Sequence, residues 1–234
     1  MKLKRIILSV FFPERCSICG EIKPFLKSWC PHCGIDAKVI SSDACLKCGH
    51  EKCICTSNSD NNLTFSAVYY YDGQLKRSLL KFKFNSESSY CDVFSKAMAK
   101  RVMDVYSDIV FDGVCYVPMT KTSTRFRGYN QSKLLAQAVA DELNLPLMDA
   151  LVKSRETLSQ KNLTQNERLE NLKGSFSANN DTDIKGKTLL LCDDIKTTGA
   201  TLRECCNTLI KAGAKDVFCI CLAVTHYKGD NSIF

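Results

Sequence analysis

Two adjacent carboxylates, Asp193 and Asp194, follow an apolar run, Leu189 to Cys192, and precede a short loop rich in threonine and glycine. The order Lys196-Thr197-Thr198-Gly199-Ala200-Thr201 then opens a helix-forming stretch. Such a loop presents backbone N–H groups, hydroxyls and the positive end of a helix, which together bind an anion. Gly199 lets the backbone approach the ligand closely, and Lys196 adds local positive charge. Ligands of open α/β sheets bind at this end of the strand. Two carboxylates beside a phosphate cradle suit the vicinal hydroxyls of a sugar, with a divalent cation nearby.

A second kind of chemistry is written in the cysteines. The chain has fifteen, and eight lie in the spacings Cys16-x2-Cys19, Cys30-x2-Cys33, Cys45-x2-Cys48 and Cys53-x-Cys55. A Cys-x2-Cys turn aims two thiolates at one ion, and two such turns complete a tetrahedral zinc site. Gly20, Gly34 and Gly49 directly follow three of the pairs. Eight ligands suit two zinc ions of a structural kind, with every position filled by sulfur. The first four cysteines form the simplest set, and an interleaved pairing also satisfies the spacing. The last pair departs from the usual interval, so the second ion is less secure and His50 could substitute. The other seven cysteines are scattered, several within apolar runs, where a thiol packs as a small hydrophobe. Buried thiols of this kind fit a reducing, cytoplasmic compartment.

The charge pattern offers a third feature. The formal net charge is +7, which favours anionic partners as well as solubility. Lys76, Arg77, Lys81 and Lys83 fall in an acid-free stretch, and so do Lys121, Arg125, Arg127 and Lys133. Phe82, Phe84, Phe126 and Tyr129 interleave with them. Cations that track a backbone and rings that stack on bases are the parts of a single-stranded nucleic-acid site. The same charges also suit contacts to a phosphorylated ligand in the second stretch and a solvated helix face in the first.

The elements that must position these groups alternate. Strands are expected over residues 65–71, 114–117, 147–152, 188–192 and 217–224. Helices are expected over 74–84, 90–106, 130–143 and 201–211, the third with Leu134, Leu135, Ala138 and Val139 on its apolar face. Continuous apolar strands between helices imply a parallel sheet covered on both faces, an α/β fold. Residues 153–175 are polar and lack a core face, so they are functional or unstructured. Composition divides the chain into an N-terminal helix over 1–12, a cysteine-rich segment over 13–56, a polar linker over 57–62 and an α/β domain over 63–234. The apolar run Ile6 to Phe12 is too short to cross a bilayer and lacks a cleavage site, so it reads as a docking helix. No transmembrane segment is expected.

Taken together, Asp193-Asp194-Ile195-Lys196-Thr197-Thr198-Gly199-Ala200-Thr201 resembles the signature of the type I phosphoribosyltransferases. In that family the loop binds the 5-phosphate of phosphoribosyl pyrophosphate, delivered with magnesium, and the acidic pair contacts the ribose. Arg127-Gly128-Tyr129-Asn130-Gln131, the spaced set from Arg155 to Phe176, and Lys81-Phe82-Lys83-Phe84 narrow the likeness to the ComF competence proteins. The resemblance covers nearly the whole chain, the cysteine segment included as a double zinc ribbon. Pro118, Met119, Thr120 and Lys121 then occupy the place of the family's pyrophosphate loop, with Arg127 nearby. Two readings follow from the likeness. One is a binding protein of DNA uptake, contacting single-stranded DNA or the uptake machinery. The other is an active transferase, or donor hydrolase, with an acceptor that the sequence does not identify.

Overall fold

The structure, a computed structural model, describes residues 13, 16, 21–23, 30, 38–53, 55, 63–73, 75–77, 79, 88–155 and 171–226. The expected N-terminal helix, the linker over 57–62, most of the polar stretch and residues Cys19, Cys33, Lys81 and Lys83 lie outside that set.

Four strands form the main sheet. They are β1 (Thr64–Tyr70), β2 (Gly113–Tyr116), β5 (Thr188–Lys196) and β6 (Asp216–Val224), in the spatial order β1-β6-β5-β2. Every pairing in this sheet is parallel, with Leu190 opposite Phe218 and Cys115 opposite Leu191. Helices cover both faces, as continuous apolar strands require. On one face Leu189 and Leu191 pack with Leu202, Cys205 and Leu209 of α4 (Ala200–Lys211). On the other, Leu190 and Cys192 pack with α1 (Ser88–Val105) through Phe94 and Met98 and with α3 (Gln131–Leu143) through Leu135 and Val139.

Several sequence expectations shift by a residue or a face. The third expected strand is shorter: β3 (Leu151–Lys153) pairs antiparallel with β4 (Phe176–Ala178), while Leu147 makes only an isolated bridge to Val114. Each strand of that pair has three residues, too few for a period-2 pattern to show. A short helix, α2 (Lys121–Arg127), occupies a stretch for which no helix was expected. Its cap is Thr120, whose hydroxyl accepts from the Ser123 amide. On α3 the buried face is Gln131, Ser132, Leu135, Ala136, Val139 and Ala140, and Leu134 stays 39% exposed. Strand β5 continues through both aspartates to Lys196 instead of stopping at Cys192.

The cysteine segment shares the core of the sheet. Ile40 belongs to the same buried cluster as Leu63, Phe65 and Leu202. Val39 bridges Tyr69, and the Phe65 amide donates to the Leu46 carbonyl at 2.7 Å. Gly49 sits at φ +80°, and a Cβ there would lie 2.3 Å from Phe65 Cε1. Only glycine tolerates both the left-handed backbone and that closeness. The composition boundary near residue 60 is therefore not a packing boundary.

Candidate functional site

The carboxylate pair sits where three chain exits converge. Asp193, 8% exposed, accepts a 2.6 Å hydrogen bond from Ser132 Oγ at Oδ1, and the Asp194 amide donates to the same oxygen at 2.9 Å. Asp194 is half-buried, and its Oδ1 accepts from the Ile195 amide. Ser132 stands in the first turn of α3, whose N-cap is Asn130. The Asn130 side chain accepts from the Ser132 and Lys133 amides and donates to the Val117 carbonyl at 3.1 Å. One capping residue thus ties the end of β2 to the start of α3, and Ser132 ties α3 to the acid pair on β5. Ser132 escaped sequence reasoning, because its partner lies 61 residues away. The legible signal was Asn130, which fixes where α3 begins.

Beyond β5, Thr197 is exposed and Thr198 half-buried. The Thr198 hydroxyl accepts from the Ala200 amide at 3.4 Å. Gly199, at φ +80°, turns the chain into α4, which begins at Ala200 with Thr201 in its first turn. The arrangement of strand end, hydroxyl-rich loop and helix start is the one the sequence pattern implied, and it can seat an anion beside two carboxylates.

Lys196 takes a different role from the one the sequence suggested. Its side chain is buried, and the residue closes β5 instead of lying in the loop. Nζ donates to the Cys48 carbonyl at 3.0 Å and lies 4.8 Å from the centre of the Phe65 ring. Burial pushes its pKa down.

Four cysteines gather against this lysine. The sulfurs of Cys45, Cys48, Cys53 and Cys55 all lie within 4.8 Å of one another. Tetrahedral thiolates about 2.3 Å from zinc stand about 3.8 Å apart, so the set fits that ion. The Lys47 amide donates to Cys45 Sγ and the Cys55 amide to Cys53 Sγ. Burial raises the Cys45 thiol, but the donors from Lys47, Cys53 and Cys48 outweigh it and bring it down to about 7. Burial and the neighbouring Cys53 and Cys48 push Cys55 up. Four thiols this close cannot all ionise without a cation between them. The unusual Cys53-x-Cys55 spacing therefore still closes a site. His50 is no substitute ligand: its ring nitrogens approach the Cys48 carbonyl at 3.1 Å and the Thr225 carbonyl at 3.0 Å. Cys16 and Cys30 are buried, and their partners in sequence lie outside the described residues.

Pro118, Met119, Thr120 and Lys121 leave β2 beside α3. Thr120 is buried as the cap of α2, and Lys121 is exposed. The side chain of Arg127 lies outside the described set. Pro118 and Met119 border a cavity of about 400 Å³, whose wall includes Tyr116, Tyr129, Lys133 and Asp149. There Tyr116 donates to Asp149 at 2.6 Å, and Lys133 lies over the Tyr116 ring. The sequence did not show that these residues enclose one cavity, since its wall draws on four separate elements, β2, α2, α3 and β3. Of the first basic stretch, Lys76 and Arg77 are described, and both are exposed.

Residues 130–232 match the family model of the phosphoribosyl transferase domain, and residues 7–62 match that of the double zinc ribbon domain. DNA utilization protein YhgH of Escherichia coli K12 is 27% identical over 212 residues, covering 88% of this chain and 89% of its own. Competence protein F of Haemophilus influenzae is 27% identical over 208 residues, covering 86% of each. Competence protein ComFC of Bacillus subtilis is 30% identical over 147 residues, covering 63% of this chain and 58% of its own. Along most of its length the chain is thus similar to proteins of the ComF kind, named for competence and DNA utilization. Its fold is that of the type I phosphoribosyltransferases, with a cysteine-rich zinc ribbon in front. The first match takes in α3, the acid pair and the loop, and the second spans all eight paired cysteines.

Proposed function

We propose that this chain serves DNA uptake in a reducing, cytoplasmic compartment, binding phosphoribosyl pyrophosphate with magnesium at the Asp193–Thr201 site and single-stranded DNA on its basic surface. The observation that carries the ligand reading is the acid pair at the end of a central parallel strand, braced by Ser132 and followed by a Thr-Gly loop that starts α4. Asp193 and Asp194 hold the ribose hydroxyls, and Thr197 to Thr201 cradle the 5-phosphate. The exit of β2, Pro118 to Lys121 with Arg127, takes the pyrophosphate. Magnesium held near Asp193 and Asp194 would supply the positive charge that the donor's diphosphate needs. Its relatives are named for competence and DNA utilization, which supports the cellular role.

Ligand binding to the folded state stabilises it by mass action, by about 2.7 kcal/mol at a hundredfold excess over Kd. Phosphoribosyl pyrophosphate with magnesium is therefore expected to raise the thermal midpoint. The double substitution Asp193→Asn with Asp194→Asn should abolish that rise while the sheet stays folded by circular dichroism. An undiminished rise in the double variant would overturn the assignment.

For the nucleic acid, Phe126 is 90% exposed on α2 beside Arg125, an arrangement suited to stacking a base next to a phosphate contact. Lys76 and Arg77 are exposed on the other stretch. Affinity for a labelled single strand should fall with salt by a slope of roughly 0.7 per phosphate contact. Replacing Lys76, Arg77, Lys81 and Lys83 with Ala should flatten the slope. Phe126→Ala should weaken binding by about 1–3 kcal/mol if a base stacks there. Equal slopes and affinities in parent and variants would place any DNA role elsewhere.

The cavity beside Pro118 and Met119 favours a second reading, turnover, because it offers room for an acceptor next to the proposed pyrophosphate position. Release of pyrophosphate in the presence of candidate acceptors separates turnover from binding alone.

A further inference from the structure

The carbonyl of a cysteine ligand anchors the side chain that underlies the phosphate loop. Lys196 closes β5, and its ammonium donates to the Cys48 carbonyl at 3.0 Å. The stem of the same residue supports the loop: a Cβ added to Gly199 would lie 3.0 Å from Lys196 Cε. The backbone of Lys196 is held as well, since its carbonyl accepts from the Thr225 amide at 3.0 Å. The Thr225 carbonyl in turn meets His50, whose other ring nitrogen meets the Cys48 carbonyl. Phe65 fills the space between, under Gly49 on one side and the Lys196 ammonium on the other. Head, stem and backbone of one residue thus connect the cysteine cluster to the turn that seats the phosphate.

Electrostatics favours the same link. Four thiolates around one divalent ion leave two net negative charges, and a buried lysine beside them offsets part of that. A buried ammonium that loses its partner is costly to leave in place. If the cysteine turn opens, Lys196 must move toward water, and Gly199 and the loop must move with it.

We propose that the metal centre of Cys45, Cys48, Cys53 and Cys55 and the phosphate loop form one coupled unit, with Lys196 as the positioning residue that joins them. Occupancy of either site then strengthens the other. The inference rests on the reading of the loop as a phosphoribosyl site. Coupling between two binding sites is reciprocal, so each ligand must change the other's affinity by the same factor.

The test uses the full-length, zinc-loaded protein and ribose 5-phosphate, whose single phosphate avoids the chelating diphosphate. Zinc affinity is measured by competition with a chelating dye, with and without saturating ribose 5-phosphate, and sugar-phosphate binding is measured separately by equilibrium dialysis. The expected result is a gain in zinc affinity on the order of tenfold. Lys196→Met should bring that factor close to one while both sites still fill, and Lys196→Arg should keep most of it. A merely structural lysine would lower both affinities and leave the factor unchanged. Ribose 5-phosphate that binds without altering zinc affinity overturns the coupling and leaves the phosphoribosyl reading standing. Ribose 5-phosphate that does not bind overturns both. Should Lys196→Met fail to fold, the comparison in the parent protein decides.

Discussion

Ser132 reaches Asp193 from the first turn of a helix that starts on a different strand's exit. A hydrogen bond to a charged, buried group contributes about 1.5–3 kcal/mol, more than one between neutral partners. Ser132→Ala should therefore lower the free energy of unfolding by about 2 kcal/mol in a urea titration. It should also weaken binding of phosphoribosyl pyrophosphate, because Asp193 loses the contact that fixes its carboxylate. Full retention of both stability and affinity would show that Asp193's other partners, the Asp194 amide among them, suffice. The acid pair was readable from sequence because its parts are contiguous: apolar strand, two aspartates, Thr-Gly loop. Ser132 and the true direction of Lys196 were not. Both depend on contacts with residues far along the chain, 61 positions away for Ser132 and 148 for Lys196. The four cysteines fell between these cases. Their spacing announced a metal, and only the fold decided that Cys53 and Cys55 close the site in place of His50.

Asn130 acts on whole elements. Its side chain caps α3 and also holds the Val117 carbonyl at the end of β2. Loss of an N-cap costs about 1 kcal/mol, and loss of a partner for a buried carbonyl adds to that. Asn130→Ala is expected to destabilise the protein by about 2 kcal/mol. Asn130→Asp should restore the cap, since its carboxylate still accepts from Ser132 and Lys133, but not the bond donated to Val117. Urea midpoints in the order parent, Asp variant, Ala variant would show the two roles separately; equal midpoints for the two variants would mean that the cap contributes nothing. Long elements were legible from sequence, α3 by its period and its Asn130 cap and β6 by its continuous apolar run. Strand β4 was missed because three residues carry no period, β3 was expected too early, over 147–152, and α2 was missed because its Thr120 cap stood in a stretch already assigned to a loop.

Among the described residues no helix is long and apolar enough to cross a membrane. The protein's larger organisation is set instead by a core that passes from the cysteine segment into the sheet. Ile40 and the turn at Gly49 cover Phe65, and the cysteine turn supplies the acceptor for Lys196. A chain starting at Leu63 should thus be poorly soluble and should melt well below the parent, as read by light scattering during a thermal ramp. A soluble fragment with the parent's midpoint would mean that the two parts are independent. The strand order carries a further consequence, for synthesis. Strand β1 has its sheet partner in β6, with Thr64 opposite Phe218, 218 − 64 = 154 residues later. At about 5–20 residues per second a ribosome needs roughly 8 to 30 s to cover that interval. Throughout this wait the first strand to emerge has an open hydrogen-bonding edge and the ring of Phe65 to shield. The cysteine turn, made just before it, is the part of the molecule already able to cover that ring, so a nascent chain supplied with metal has a local cap long before its sheet can close.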